Sequence, residues 1–380
     1  MLPVWSLLFW LSALGIFYTY VSYPLIITLL ARWRPRPTKT ADITPSVTVL
    51  VAAYNEEDCI ETKIENTLAL DYPPNKLELV VVADGSTDRT NEIVAAHSDE
   101  EVRLLYQPQR QGKAAALLRA FRLTEGEVVV FSDANSYFPA DTLRKLVRHF
   151  ADPKVGGVGG AKRMLGEGKK AAGQGEGIYW RYESYLKACD SAVSSVMGVP
   201  GEIWAARRKA YCPPDRDSIL EDFTASMRMV ATGWRVIFEP QALAYEEASP
   251  SLTVEWTRRT RNVAGGWQAF WRLPEMLHHE NGLITFQYIS HRLLRWMITP
   301  SLFVLFLLSN ALLLTRPFYA WTLALQLLFY GCAGLGWLLA ERGRRVGWLL
   351  APFYICMLNA AALVGGWRFL RGKQSVVWKK

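Results

Sequence analysis

Four long stretches of this 380-residue chain carry no charged side chain, and all four lie at its two ends. They are Met1–Ala31, Trp296–Thr315, Pro317–Ala340 and Val346–Trp367. Each is long enough to cross a hydrocarbon core of ~30 Å. Such segments exclude a wholly soluble fold and tie whatever lies between them to a bilayer. The first ends in Arg32, Arg34, Arg36 and Lys39. Basic residues after a span keep that end in the cytoplasm. A signal peptide would place its positive charge first and a small-residue cleavage site after, and this stretch has neither.

The net charge of +8 divides unevenly. Residues 1–41 hold four basic residues and no acid, and residues 283–380 hold eleven basic residues and one acid. The middle, 42–282, holds 28 basic and 34 acidic residues, a net of −6. The positive excess thus flanks apolar segments, as membrane anchoring requires. It does not form a nucleic-acid-binding face. Five scattered cysteines show no CxxC or zinc spacing and read as ordinary buried thiols, so neither a disulfide framework nor a thiolate metal site is expected.

At the C-terminal end Trp296, Trp337, Trp348 and Trp367 mark the span boundaries as interface anchors. Leu283–Arg295 mixes apolar residues with His291, Arg292 and Arg295 and reads as an amphipathic helix on the membrane surface. Three crossings after a cytoplasmic middle would leave Glu341–Arg345 inside but the basic tail Arg368–Lys380 outside. The last stretch, with Pro352, Asn359 and Gly365–Gly366, is therefore read as re-entrant or returning. The expected division is an N-terminal span over 1–31, a cytoplasmic domain over 42–280, and an amphipathic interface helix with three membrane segments over 283–380.

The middle alternates strand and helix. Ser46–Val51, Leu77–Ala83, Val102–Tyr106 and Val128–Phe131 read as strands. Glu57–Leu70, a segment to Ala96 capped by Thr87, and Lys113–Leu123 read as the intervening helices. This βαβαβαβ order predicts an α/β fold with a doubly wound, mostly parallel sheet flanked by transmembrane helices. Ligands bind such sheets at the carboxyl ends of the strands, where Tyr54, Asp84 and Asp133 stand.

Four groups of residues could carry chemistry. Tyr54-Asn55-Glu56 with Asp84-Gly85-Ser86 offers an aromatic face and carboxylates to a base or ribose, though the same residues also make turns. Asp133-Ala134-Asn135 puts a carboxylate and an amide within reach of one hard cation, or forms a helix-capping turn. Glu221-Asp222 opens the helix to Thr232, where Asp222 is either a cap or a general base. Arg258 and Arg261 share a helical face and could grip a diphosphate or lipid head groups. Gly112-Lys113 at a helix start is a weaker phosphate signal.

Taken in order, Ala-Tyr-Asn-Glu, Ala-Asp-Gly-Ser-Thr-Asp, Gly-Lys, Asp-Ala-Asn, Glu-Asp and the arginine box resemble the family 2 inverting glycosyltransferases. Within that family they resemble the membrane-embedded branch of cellulose, hyaluronan, chitin and poly-N-acetylglucosamine synthases. The resemblance covers roughly residues 46–275 and implies a GT-A fold. It implies that Tyr54, Glu56 and Asp84 hold uridine and ribose, that Lys113 lies near the diphosphate, and that Asp133 and Asn135 bind Mg²⁺ or Mn²⁺. Asp222, beside Glu221, would match the family's general base. Arg258 and Arg261 would fall in the box that closes over the donor. Gly198–Glu202 through Arg207-Arg208 would form the acceptor-side loop.

The chain departs from the pattern at Asn135, where a second carboxylate is usual, and at Leu220, where the family has threonine. It also carries Arg258 for glutamine and Asn262 for the tryptophan that stacks under an acceptor sugar, with Trp267 as a candidate substitute. The resemblance implies transfer from a nucleotide-diphosphate sugar, UDP-linked, to a growing β-linked polysaccharide, with export. The alternative is one addition to a lipid or glycolipid acceptor. It also implies an integral protein of a bacterial plasma membrane. A non-catalytic nucleotide-sugar-binding scaffold would not need Asp84, Asp133 and Asp222 together. A transporter would need intramembrane charge that the spans lack.

Overall fold

The structure, a computed structural model, describes residues 2–98, 101–165, 171–344 and 347–376. Arg345 and Val346, and Val377–Lys380 of the basic tail, lie outside the described residues.

Among the described residues seven strands form one sheet: β1 (Val47–Ala53), β2 (Leu77–Asp84), β3 (Val102–Gln107), β4 (Val128–Asp133), β5 (Val155–Leu165), β6 (Ile203–Arg207) and β7 (Arg235–Glu247). Their spatial order is β3-β2-β1-β4-β6-β5-β7. The first four strands pair in parallel, as the alternating pattern predicts. β6 runs antiparallel to both β4 and β5, and β5 pairs in parallel with β7, so the sheet is mixed. β1 is buried along its whole length because helices cover both faces. Its residues alternate between two cores: Leu50 and Ala52 join Val80, Val82, Val129 and Phe131 on one face. Val49 and Val51 join Leu79, Val81 and Val130 on the other.

Thirteen α-helices are described: α1 (Leu2–Phe17), α2 (Tyr23–Trp33), α3 (Ile60–Leu68), α4 (Thr90–Ala96), α5 (Lys113–Arg122), α6 (Thr142–Val147), α7 (Ala171–Val193), α8 (Glu221–Ala231), α9 (Leu252–Arg272), α10 (Gly282–Gln287), α11 (Thr299–Ala311), α12 (Pro317–Glu341) and α13 (Gly347–Leu370). α4 starts later than Thr87. The Thr87 N–H donates to Asn55 Oδ1, and the N-cap position of α4 is Arg89, preceded by Asp88, whose Oδ1 accepts from the Thr90 N–H, so Thr87 does not cap the helix.

Among the described residues four helical runs are long and apolar enough to cross a membrane: Pro3–Trp33, Gly282–Ala311, Pro317–Glu341 and Gly347–Leu370. The expected surface helix over 283–295 is a different object. A π-helical segment, Tyr288–Ile298, joins α10 to α11 in one continuous run. Its basic face turns onto the catalytic domain: Arg292 Nη1 and Arg295 Nη1 lie 2.7 and 2.9 Å from the Glu183 carboxylate of α7. These charges are paired with a buried carboxylate rather than left for lipid head groups. His291 and Gln287 bond Asp190 one helical face further along, and Tyr23 of α2 bonds the same carboxylate at 2.6 Å.

α13 also differs from a simple span. Over half of its apolar window (56%) is buried, against 22% or less in the other three. It runs beside α9, where Gly365 lets the helices touch: a Cβ there would meet Thr260 O at 2.6 Å. Gly366 lies against the Trp267 indole. Beyond α13 the chain reaches Val376, whose carbonyl faces Arg261 at 3.5 Å. The last stretch therefore returns to the catalytic domain.

Candidate functional site

Parallel register brings the carboxyl ends of β1, β2 and β4 together, since Ala53 pairs with Ala83 and Ala52 with Asp133. Asn55 takes a left-handed φ of 55°, a conformation asparagine tolerates, and turns the chain out over β1. The Asp84 carboxylate is fully buried and accepts the backbone N–H groups of Gln111 and Gly112. Gly112 has φ 98°, which only glycine adopts without strain, and it delivers Lys113 to the first turn of α5.

Lys113 is the hub of the site. Its Nζ lies 2.6 Å from Asp133 Oδ1 and 2.8 Å from Glu221 Oε1. Burial works to lower its pKa, but Asp133 and Glu221 outweigh that and hold the ammonium well above its ordinary value. Glu221 and Asp222 open α8, where the helix dipole favours carboxylates. Even so, burial, reinforced by the Glu221 charge, pushes the Asp222 carboxyl up to about 7 against the pull of Lys113. Gly201 closes the far side: a Cβ there would come within 3.0 Å of Asp222 Oδ2 and 3.6 Å of Lys113 Nζ.

These groups face one cavity of about 1100 Å³. Its wall includes Glu56, Lys113, Asp133, Asn135, Gly201, Glu221, Asp222, Arg258 and Arg261. Residues of α7, α9 and α13 line the same cavity, and the α13 wall is mostly apolar, with Leu350, Tyr354, Ile355 and Leu358.

Three expected contacts stand off this wall. Asp84 is occupied with the Gln111-Gly112 amides and shapes the loop instead. The Tyr54 ring is covered by the Arg110 guanidinium, 3.3 Å from its centroid. Trp267 packs between α9 and α13, against Gly366 and Phe369, so it is not the substitute for the missing stacking residue. Arg207 and Arg208 also fall outside the acceptor side. Their guanidinium groups bond backbone carbonyls at Phe150, Val155, Phe121 and Gly126. Arg258 pairs with Glu255 at 2.6 Å, and Arg261 reaches the Ile219 carbonyl at 3.2 Å.

The structure adds residues that the motifs did not name. Lys63 of α3 is fully buried and donates to Ser132 Oγ and Ser136 O, pinning the Asp133–Asn135 loop from beneath. Lys162 joins Glu202 of the Gly198–Glu202 loop to Glu246 of β7. On α7, Glu183, Lys187 and Asp190 recur every three or four residues. That spacing marks one polar face and is the signal that could have singled the helix out.

Asp133 and Asn135 fit a hard divalent cation. Both donors are oxygens on one short loop at the cavity wall, and they leave most positions to a ligand's phosphates and to water, as Mg²⁺ and Mn²⁺ sites commonly do. Among the described residues no cluster of three or more His, Cys, Asp or Glu offers an all-protein cage.

Residues 48–212 match the family described as Glycosyl transferase family 2. The poly-beta-1,6-N-acetyl-D-glucosamine synthase of Staphylococcus aureus (strain MSSA476) is 27% identical over 276 residues, which cover 71% of this chain and 65% of that protein. The match thus spans just under two thirds of that relative's length. The beta-monoglucosyldiacylglycerol synthase of Synechocystis sp. is 28% identical over 244 residues, covering 60% of this chain and 50% of that protein. Among solved structures, the mannosyltransferase PcManGT from Pyrobaculum calidifontis, in complex with GDP-Man and Mn²⁺, superposes with a TM-score of 0.72 at 26% identity. That match covers 96% of this chain and 99% of the other. The mixed sheet, the motif order and these likenesses agree: the chain carries a glycosyl transferase family 2 domain over residues 48–212, has a GT-A-like fold and is similar to the poly-N-acetylglucosamine synthases.

Proposed function

We propose that the protein transfers a sugar, with inversion, from a nucleoside-diphosphate sugar to a hydroxyl of an acceptor that reaches the site from the bilayer. The observation that carries this reading is the single cavity that Asp133, Asp222 and α13 all line. The nucleotide occupies the strand ends beside Glu56 and Lys113. A divalent cation held by Asp133 and Asn135 would screen the charge of the diphosphate. Lys113 shares that task at the leaving oxygen, and Arg258 and Arg261 support the diphosphate from α9. Asp222 takes the proton of the acceptor hydroxyl. The acceptor oxygen bonds to the anomeric carbon as the bond from that carbon to the diphosphate oxygen breaks, and the nucleoside diphosphate leaves. One displacement of this kind turns an α-linked donor into a β-linked product. The catalytic domain faces the cytoplasm in this reading, because Arg32, Arg34 and Arg36 follow the first span.

A lipid-linked acceptor and single addition fit the apolar wall of α13 and the absence of a tryptophan at Asn262. Growth of a β-linked polysaccharide is the second reading, favoured by the likeness to the Staphylococcus synthase. The purified full-length protein, given labelled UDP- and GDP-sugars with membrane lipid extract, tests both. A product in the organic phase, one sugar larger than its acceptor, supports the first. A polydisperse aqueous polymer supports the second, and no label transfer from any donor defeats both.

A further inference from the structure

A second charged cluster stands on the wall of the same cavity. Lys162 of β5 is fully buried, and its ammonium lies 2.6 Å from Glu202 Oε1 and also pairs with Glu246 Oε2 near the end of β7. The Trp180 ring holds it from a third side, with its centroid 5.2 Å away. Both carboxylates line the cavity. A carboxylate has about four acceptor positions and an ammonium three protons, so the pair can accept more hydrogen bonds than Lys162 can give. Arg258 Nη1 stands 3.9 Å from Glu246 Oε2, beyond hydrogen-bond reach, and its Nη2 donates to Glu255. Burial works to raise the Glu202 carboxyl, but Lys162 brings it down to about 2, so it stays ionised and can only accept.

The neighbours of this bridge say where it stands. Burial, with the charges of Glu202 and Asp133, raises the Glu246 carboxyl against the pull of Lys162, so Glu246 lies within the field of Asp133. The Glu202 charge in turn helps to raise the Asp222 carboxyl. Glu202 also follows Gly201, whose Cβ would come within 3.0 Å of Asp222 Oδ2. One carboxylate is thus near the proposed cation and the other near the proposed base. A sugar in transfer must lie between those two points, because its anomeric carbon is bonded to the diphosphate at one and attacked from the other. We propose that Glu202 and Glu246, held by Lys162, accept hydrogen bonds from the hydroxyls of the transferred sugar and so select a neutral hexose or N-acetylhexosamine over a uronic acid. This rests on the function proposed above and names the donor class for that same site. A sugar hydroxyl has a proton to give to a carboxylate, whereas the carboxylate of a uronic acid brings like charge and no proton. Lys162 is a positioning residue here, since it acts through the two carboxylates.

The test is calorimetric binding of nucleotide sugars to the full-length protein in phosphatidylcholine nanodiscs, with Mn²⁺ and no acceptor. The ligands are pairs that differ only at C6: UDP-glucose and UDP-glucuronate, UDP-galactose and UDP-galacturonate, UDP-N-acetylglucosamine and its uronate, GDP-mannose and GDP-mannuronate. UDP and GDP alone are measured beside them. At least one neutral sugar is expected to bind about tenfold tighter than its bare nucleotide, and its C6 acid about tenfold weaker than the neutral partner. Glu202→Gln and Glu246→Gln are each expected to weaken that neutral sugar about tenfold, to leave UDP and GDP within about threefold, and to tighten the acid, because a repelling charge is gone. A bridge that only holds the fold together would move sugar and bare nucleotide alike and would gain nothing for the acid. Equal loss for nucleotide and nucleotide sugar would therefore overturn the proposal. So would a wild type that binds an acidic sugar as tightly as its neutral partner, an arm that needs no variant and does not depend on the glutamine variants folding. A wild type that binds UDP or GDP but gains nothing from any sugar sinks this inference alone. One that binds neither nucleotide, nor any nucleotide sugar, defeats the proposed function with it.

Discussion

The Lys113 ammonium lies 2.6 Å from Asp133 Oδ1, so the group expected to meet the diphosphate already touches the expected cation ligand. Because Lys113 also holds Glu221, it draws the ends of β4 and α8 to one point. Lys113→Met would leave two carboxylates facing each other without the charge between them. The expected result is a fall in kcat of ~10²-fold with weakened nucleotide binding. Steady-state kinetics and nucleotide titration measure the two effects, and unchanged kcat would remove Lys113 from the chemistry.

Asp222→Asn keeps the shape of the side chain and removes its basicity. Transfer should fall by on the order of 10²–10⁴-fold while nucleotide affinity stays near wild type. The wild-type rate should also fall as pH drops below about 7, because burial places the Asp222 carboxyl there and the protonated form cannot accept the acceptor's proton. For stability the sign is opposite. The folded value lies above the ordinary 3.8, so ionisation costs stability, and the cost grows as pH rises from about 4 to about 7. Asp222→Asn should therefore melt no lower than wild type at pH 8. Retained turnover would sink the assignment.

Chelation tests the cation. Excess EDTA should stop transfer, and Mn²⁺ or Mg²⁺ should restore it. Asn135→Asp adds a second carboxylate to the loop that Lys63 pins, and it should lower the metal concentration needed for half activity several-fold. Full activity in EDTA would take the metal out of the scheme.

Gly201 has no room for a side chain beside Asp222. Gly201→Ala should cut kcat about tenfold or more, because small displacements of a reacting group are expensive, while leaving the melting temperature nearly unchanged. A fully active Gly201→Ala would mean that the Asp222 carboxylate can move without consequence.

At the contact between α9 and α13, Gly365→Leu would drive a side chain into Thr260 O. Overpacking of this kind costs about 1–3 kcal/mol. The variant should melt lower in detergent and show a raised KM for the acceptor, with the donor KM little changed. Equal loss for both substrates would separate α13 from the acceptor path.

The first half of the sheet was legible because β1, β2 and β4 are largely apolar runs closed by turn residues, and β3 falls between two helical patterns. The second half was not. β5 reads Val-Gly-Gly-Val-Gly-Gly, a poor strand by propensity. It forms because neighbours crowd it: a Cβ at Gly160 would strike the Ala242 carbonyl at 2.6 Å. Asp133, Glu221 and Asp222 could be named from motif order, yet their link through Lys113 depends on packing between segments far apart in the chain. Trp267 follows Asn262 closely in sequence, yet it packs against Gly366 and Phe369 of α13. Glu183 was missed because its importance depends on what the π-helical segment brings against it.

Arg292 and Arg295 both close on Glu183, which is 2% exposed, and breaking a buried pairing of this kind costs about 3–5 kcal/mol. The joint between the reaction chamber and the bilayer is therefore stiff. In the proposed transfer it holds Asp222 at a fixed distance from the apolar helices, and an acceptor must match that distance with its own length. Selection among acceptors becomes a measurement of reach, in which a molecule whose hydroxyl stands too near its hydrocarbon tail, or too far from it, never meets the donor.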